Sequence, residues 1–266
     1  MNLYETPALF NQNMSKEQQD KFLKFYKEVF NEYNITTIHD CSIGAGGTTL
    51  PLAKLGYKVS GSDLSKILLD KAKDNFSNEG YDVELFESDF RNLKNNLDGT
   101  YDCIISTGNS LPHINNTDVE SFVKSIYSKL NSNGLLYIDI RNWDKLLSEK
   151  PIFSVRDPLV MTKEEHTSLY LIYNWHDDNS VDFVFATSTD ILGKNERVVL
   201  VNSPTYYPLE YKVYEKVLKE NGFIIKKCFD VDYLWSSFHK NEAKTGNFDK
   251  DFDRISWYGI LAQKKG

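Results

Sequence analysis

The sequence predicts an α/β protein, a doubly wound, mostly parallel seven-stranded sheet with an inserted antiparallel β-sheet. Two observations lead there. Between Thr36 and Ile140, short β-prone runs alternate with helix-prone runs, the pattern of parallel strands joined by crossover helices. After Trp143 the alternation stops, and three β-prone runs follow with few helical signals between them. The chain therefore divides into an α/β core with an N-terminal helix over residues 1–143, an inserted sheet over 144–205, and the C-terminal part of the core over 206–266.

The first helix is expected from Ser15 to Tyr33. Ser15 can cap it, Gln18 suits a capping box, and Phe22, Leu23, Phe25, Tyr26, Val29, Phe30 and Tyr33 recur at helical spacing. Before it, Leu3–Asn13 carries Tyr4 and Phe10 in no regular pattern, as either a frayed end or a lid would. Strands follow at Thr36–Asp40, Lys58–Ser62, Val83–Glu87, Cys103–Thr107 and Leu135–Ile140, with helices at Thr48–Lys54, Ser65–Asn75 and Asp118–Leu130. Asn133-Gly134 reads as the C-cap of the last of these helices. Leu135–Ile140 is almost free of polar residues, as a buried parallel strand should be. The insert holds strands at Ser168–Trp175, Val181–Asp190 and Arg197–Asn202, with Asp177-Asp178-Asn179 as a hairpin turn. A helix over Leu209–Asn221, stopped by Gly222, leads to an antiparallel pair at the sheet edge, Phe223–Asp230 and Ile255–Gln263. Glu242–Asp253 is polar and reads as a surface loop.

Composition narrows the function classes. With 41% hydrophobic and 26% charged residues the chain can bury a full core. A net charge of −7, with no local basic patch, disfavours nucleic acid as a partner. No apolar run is long enough to span a bilayer, and Met1-Asn2-Leu3-Tyr4-Glu5 lacks the basic start of a signal peptide. A cytoplasmic protein with no membrane partner is expected. The three cysteines, Cys41, Cys103 and Cys228, are scattered, which suits a reducing compartment; Cys41 and Cys103 read as small core residues. His39, His166, His176 and His239 show no metal-ligand spacing, so no metal is expected.

The chemistry gathers at the strand ends. Asp40-Cys41-Ser42-Ile43-Gly44-Ala45-Gly46-Gly47 links the first strand to a helix. Such a turn can offer backbone N–H groups and a positive helix end to a nucleotide-like ligand, with glycine permitting close approach; it also occurs as a plain connection. Asp63-Leu64 ends the second strand. An acid roughly twenty residues past the turn accepts hydrogen bonds from ribose hydroxyls, in dinucleotides and in S-adenosylmethionine alike. Thr49 stands where a dinucleotide turn wants glycine or alanine. Asp89-Phe90, at the third strand end, suits an adenine, the acid taking the exocyclic amino group and the ring covering its face. S-adenosylmethionine has no pyrophosphate to hold, and the turn contains neither a lysine nor a Walker A motif. These features favour S-adenosylmethionine.

The ordered set Asp40-x-x-x-Gly44-x-Gly46, Asp63, Asp89-Phe90 and Tyr101-Asp102-Cys103-Ile104-Ile105 resembles class I S-adenosylmethionine-dependent methyltransferases. The stretches Thr107-Gly108-Asn109-Ser110-Leu111-Pro112-His113-Ile114 and Leu135-Leu136-Tyr137-Ile138-Asp139-Ile140-Arg141-Asn142-Trp143-Asp144 look like segments of the glycine and sarcosine N-methyltransferases. So does Thr205-Tyr206-Tyr207-Pro208-Leu209. The resemblance implies a Rossmann-like fold, S-adenosylmethionine as cofactor, and methylation of a small molecule, foremost glycine, sarcosine or a related amino acid. It implies that Arg141 grips the substrate carboxylate, that Asn109 lies in the substrate site and that Thr107 contacts the cofactor. Asp40, Gly44, Gly46, Asp63, Leu64, Asp89 and Phe90 complete the expected cofactor site.

Arg141 lies just past an apolar strand, at the carboxyl edge where open α/β sheets place ligands. A guanidinium binds a carboxylate through paired hydrogen bonds; the alternative is a structural ion pair with Asp139 or Asp144. His113 either touches substrate or shapes its loop, and Tyr206 and Tyr207 either line an amine pocket or belong to the core. No catalytic residue is singled out, since an amine that arrives deprotonated needs no dedicated base. Thr107-Gly108-Asn109-Ser110 lacks the Asp/Asn-Pro-Pro-aromatic segment of DNA amino-methyltransferases and the paired glutamates of protein-arginine methyltransferases. Rival readings are methylation of another small acceptor, at oxygen or nitrogen, and a non-catalytic S-adenosylmethionine-binding protein.

Overall fold

In the computed structural model of the protein, helix α1 (Lys16–Phe30) begins where Ser15 caps it, Ser15 Oγ accepting from Gln18 N at 3.2 Å. The reciprocal half of a capping box is not made. Gln18 Nε2 instead donates to the Leu234 carbonyl at 3.0 Å, tying the helix start to a distant segment. The structure describes residues 14–161, 165–191, 197–235 and 248–266; the Leu3–Asn13 arm and His239 lie outside them.

The expected alternation follows: β1 (Thr37–Asp40), α2 (Leu50–Lys54), β2 (Lys58–Asp63), α3 (Lys66–Asn78), β3 (Glu84–Glu87), α4 (Leu93–Asn96), β4 (Tyr101–Ser106), α5 (Val119–Lys129), β5 (Leu130–Arg141) and α6 (Trp143–Glu149). The insert comprises β6 (Phe153–Met161), β7 (Glu165–Trp175), β8 (Val181–Ile191) and β9 (Arg197–Asn202). Then come α7 (Tyr211–Glu220), β10 (Phe223–Asp230), α8 (Asp232–Trp235), α9 (Phe248–Asp251) and β11 (Trp257–Lys264). The main sheet has seven strands in the order β10-β11-β5-β4-β1-β2-β3. Strands β1 to β5 are parallel, and β11 runs antiparallel to both β5 and β10. Strand addition reverses direction between β1 and β4, which opens a crevice at their carboxyl ends.

Two apolar layers sandwich the sheet. On one side Phe25, Tyr26 and Phe30 of α1 pack on Tyr137; on the other Phe122 and Ile126 of α5 and Tyr214 and Leu218 of α7 join Ile104 and Ile138. The insert forms a separate four-stranded antiparallel sheet in the order β6-β7-β8-β9. Its inner face meets the exit of β5, where Phe183 stacks near Trp143 at 6.2 Å.

Three details depart from expectation. The insert has an extra strand, β6, whose run Phe153–Met161 is interrupted by Pro158. Proline is tolerated because β6 is an edge strand whose register slips between Arg156 and Val160. Asn133-Gly134 does not cap a helix. Leu130 is already extended, and Asn133 (φ 61) sits inside β5, where pairing to β4 jumps from Leu130 to Leu135. Lys264 Nζ donates to the Tyr127 and Leu130 carbonyls at 2.8 and 2.7 Å, so helix-end carbonyls are satisfied without a glycine cap. Finally, the polar stretch expected as a loop is helical over Phe248–Arg254, with Phe248 and Phe252 packed on Tyr211 at 5.3 and 5.5 Å.

Gly61 in β2 is required by close packing: a Cβ there would lie 2.2 Å from Ile43 Cδ1 and 2.9 Å from Ile43 Cβ. Gly61→Ala should therefore cost about 1–3 kcal/mol by overpacking, read by urea unfolding, and adding Ile43→Val should recover part of it. An unchanged midpoint would contradict this packing.

Candidate active site

β1 ends in Asp40, whose side chain is fully buried. Thr49 Oγ1 donates to Asp40 Oδ2 at 2.5 Å and Ser42 N to Oδ1 at 3.0 Å. Both oxygens are engaged inside the turn, so Asp40 shapes the turn rather than presenting its carboxylate to a ligand. Thr49 takes its place through this bond. Gly44 (φ +53) and Gly46 (φ +79) adopt left-handed backbone, and a Cβ at Gly46 would meet Phe76 at 2.7 Å. Nothing among the described residues lies within 4 Å of the Cβ position at Gly44, so that side of the turn is open.

Asp63 closes the turn from β2. Its Oδ2 accepts from Gly44 N at 2.8 Å and its Oδ1 from Ser65 N at 2.9 Å. Burial pushes its carboxyl up, against these bonds. Beside it Leu64 is 64% exposed, an apolar surface at the crevice rim.

Asp89 and Phe90 are more committed than the sequence suggests. Arg91 holds both Asp89 oxygens, at 2.5 Å in the closest contact, and bridges to Asp118 at 2.9 Å. Burial raises the Asp89 carboxyl, but the hydrogen bonds from Arg91 win and hold it below the usual carboxylate range. Phe90 is 8% exposed and edge-on to Phe122 at 5.1 Å, which leaves little ring face for an adenine.

The exit of β4 is fastened to the turn and to β5. Thr107 Oγ1 meets Thr48 Oγ1 at 2.9 Å, and Ser106 Oγ meets Ser42 Oγ at 2.9 Å. Gly108 (φ +74) donates its N–H to Asp139 Oδ1 at 2.9 Å. Asn109 (φ +64) is buried, and its Oδ1 accepts from Arg141 N at 3.1 Å and Trp143 Nε1 at 3.0 Å. Its oxygen is thus spent on placing Arg141, not on an amine.

Arg141 leaves β5 beneath the inserted sheet. Its guanidinium carbon lies 5.1 Å from the Trp257 ring centroid and 5.4 Å from that of Phe183. Burial pushes its pKa down to about 10, so it stays charged at neutral pH. Among the described residues no carboxylate lies within 4 Å of it. The two acids that could have paired with it are otherwise engaged: Asp139 with Gly108, and Asp144 Oδ2 with Tyr211 N at 2.8 Å. Tyr206 stacks on Phe183 at 4.6 Å and meets the His113 ring, tilted, at 4.1 Å, and Tyr207 N donates to the Pro112 carbonyl at 2.7 Å. Burial lowers His113 to about 4, so it is neutral at pH 7. Phe183, Trp257 and Tyr173 joined the site without any sequence signal. Among the described residues no group of three or more His, Cys, Asp or Glu is placed to hold a metal, and no helix is long and apolar enough to cross a membrane.

Burial raises Asp139 to about 8 and Asp40 to about 7. A carboxyl whose folded pKa exceeds its unfolded value stabilises the fold below the unfolded pKa and loses that contribution as pH rises through the folded one. Asp139→Asn keeps an acceptor for Gly108 N. It should flatten the fall in stability between about pH 4 and pH 8, read by urea unfolding across that range. A variant with the parent's pH slope would contradict the buried, protonated acid.

The chain resembles known proteins over part of its length. A family profile described as a methyltransferase domain matches residues 38–134. The glycine/sarcosine N-methyltransferase of Halorhodospira halochloris is 33% identical over 124 residues, 46% of this chain and 46% of that protein. That of Aphanothece halophytica is 28% identical over 127 residues, 47% and 48% of the two chains. The chain spans about half the length of these relatives. A solved S-adenosylmethionine-dependent methyltransferase from Clostridium acetobutylicum ATCC 824 superposes with a TM-score of 0.70 over 98% of this chain and 96% of that one, at 20% identity, and so shares the fold including the insert. The chain thus resembles a methyltransferase domain over residues 38–134, is related to the glycine/sarcosine N-methyltransferases at moderate identity over about half its length, and shares its fold with a solved S-adenosylmethionine-dependent methyltransferase.

Proposed function

We propose that the protein methylates the nitrogen of a small amine that carries a carboxylate: glycine, sarcosine or a related amino acid. Arg141 supports this above all. It is a charged guanidinium ringed by aromatics at the carboxyl edge of the sheet, with no acidic partner among the described residues. An enclosed cation without a counter-ion is costly, and a substrate carboxylate supplies one through paired, charge-assisted hydrogen bonds.

The residues of the crevice fit the cofactor. The open side of Gly44 admits a ligand against the backbone, Asp63, at the rim and with a lone pair left on each oxygen beside its bonds from Gly44 N and Ser65 N, can accept from ribose hydroxyls, and exposed Leu64 offers apolar cover. Asp89 and Thr107 line the neighbouring strand exits, and Gly46 keeps the turn compact against Phe76. S-adenosylmethionine, when bound, supplies a methyl group already activated on a sulfonium sulfur.

The chain's own residues then have three tasks. Asp40 and Thr49 keep the turn in shape, and Asp139 and Thr48 pin the Thr107-Gly108 loop between the crevice and the Arg141 pocket. Arg141 fixes the acceptor by its carboxylate, positioned through Asn109. Phe183, Tyr206 and Trp257 exclude water from the amine, and neutral His113 adds no competing charge. Orientation of this kind can lower a barrier by roughly 7–11 kcal/mol.

Mass spectrometry of acceptors incubated with protein and S-adenosylmethionine tests the reading. Glycine, sarcosine, dimethylglycine and other amino acids are set beside simple amines without a carboxylate. Methylation should be confined to carboxylate-bearing amines. Arg141→Ala should lower kcat/KM by about 100-fold, the loss of a charge-assisted pair of about 3 kcal/mol. Equal methylation of carboxylate-free amines, or unchanged turnover by Arg141→Ala, would overturn it.

A further inference from the structure

We propose that the acceptor pocket is built for an amine bearing two carboxylates, the first held by Arg141 and the second by Arg156. The inference rests on the carboxylate reading of Arg141 and extends it to the substrate class.

Strand register places Arg156. In the β6–β7 pair, Ser154 lies opposite Leu171 and Arg156 opposite Leu169. Directly opposed residues of an antiparallel pair share a face, and alternate residues point the same way. Leu171 is 1% exposed, and Ser154 Oγ meets the Tyr173 hydroxyl at 3.1 Å, so Ser154 and Arg156 belong to the inner face. Val155 between them is 65% exposed on the outer face. Tyr173 in turn packs on Phe183 at 5.0 Å, and Phe183 is the ring beneath the Arg141 guanidinium. The two arginines therefore approach one enclosure from two sides, one from the exit of β5 and one from the inserted sheet.

Neither has a carboxylate partner among the described residues. Among the described residues no carboxylate lies within 4 Å of Arg156, just as none does for Arg141. Burial, and then the like charge of Arg156, press the Arg141 guanidinium toward its neutral form. Among the described residues the other neighbours named here, Phe183, Trp257, Tyr173 and Tyr206, are aromatic and carry no carboxylate, and burial keeps His113 neutral. Two cations in a shared, partly desolvated space repel each other, and one carboxylate relieves only part of that repulsion. A second carboxylate completes the balance. The Tyr173 and Ser154 hydroxyls beside it add neutral hydrogen-bonding groups. The chemistry that fits is an amino-dicarboxylate of the aspartate, glutamate or iminodiacetate kind.

Isothermal titration of the full chain saturated with S-adenosylhomocysteine tests this without requiring turnover. The ligands are glycine and sarcosine against aspartate, glutamate and iminodiacetate. At least one dicarboxylate should bind about tenfold more tightly than glycine, as one further charge-assisted contact implies. Arg156→Gln should bring that ratio to within about twofold, and Arg156→Lys, which keeps the charge, should retain part of it. Thermal unfolding of each variant confirms that it is folded. Equal affinities in the parent protein, or a preference that survives Arg156→Gln, would overturn the inference. If glycine binds through Arg141 while dicarboxylates gain nothing, the two-arginine site falls and the single clamp stands. If no carboxylate of either class binds, both fall.

Discussion

The site depends on one side-chain oxygen. Asn109 Oδ1 accepts from Arg141 N and from Trp143 Nε1, and so ties the loop after β4 to the exit of β5. Asn109 occupies left-handed backbone, which asparagine tolerates better than most residues, and Gly108 before it does the same. The loop after β4 and the strand that carries Arg141 are thereby fixed relative to each other. Trp143 extends the link to the insert through Phe183. A shift in this junction would move both halves of a reaction that depends on alignment.

Charge is distributed with the same logic. The buried acids Asp40 and Asp139 accept bonds from the turn and the loop, and burial keeps both near or above neutral pKa. They act as hydrogen-bonding fixtures and contribute little negative charge to the crevice. The cations Arg141 and Arg156 are left without described carboxylate partners on the acceptor side. An acidic chain, net charge −7, thus places two cations at one edge of its sheet.

What the sequence showed was local. Gly44, Asp63 and the β–α alternation are legible because strand, turn and acid are close in the chain and obey fixed spacings. Residue types at the strand ends were legible too, but their partners were not. Asp40 turns to Thr49, Phe90 to Phe122, and Asn109 to Trp143, and each choice is made by packing. Arg91 could have been found, since it stands two residues from Asp89. Strand β6 was hidden by Pro158, which breaks the strand pattern yet is admissible at an edge. Phe183, Trp257 and Arg156 come from the insert and the last strand, and only tertiary structure gathers them around Arg141.

A double cycle on Arg141 and the acceptor carboxylate isolates the contact on which this account turns. It compares kcat/KM for sarcosine and for dimethylamine, its carboxylate-free counterpart, in the parent protein and in Arg141→Ala. A coupling of about 3 kcal/mol between the guanidinium and the carboxylate is predicted. A coupling near zero, with sarcosine and dimethylamine responding alike to the substitution, would contradict it.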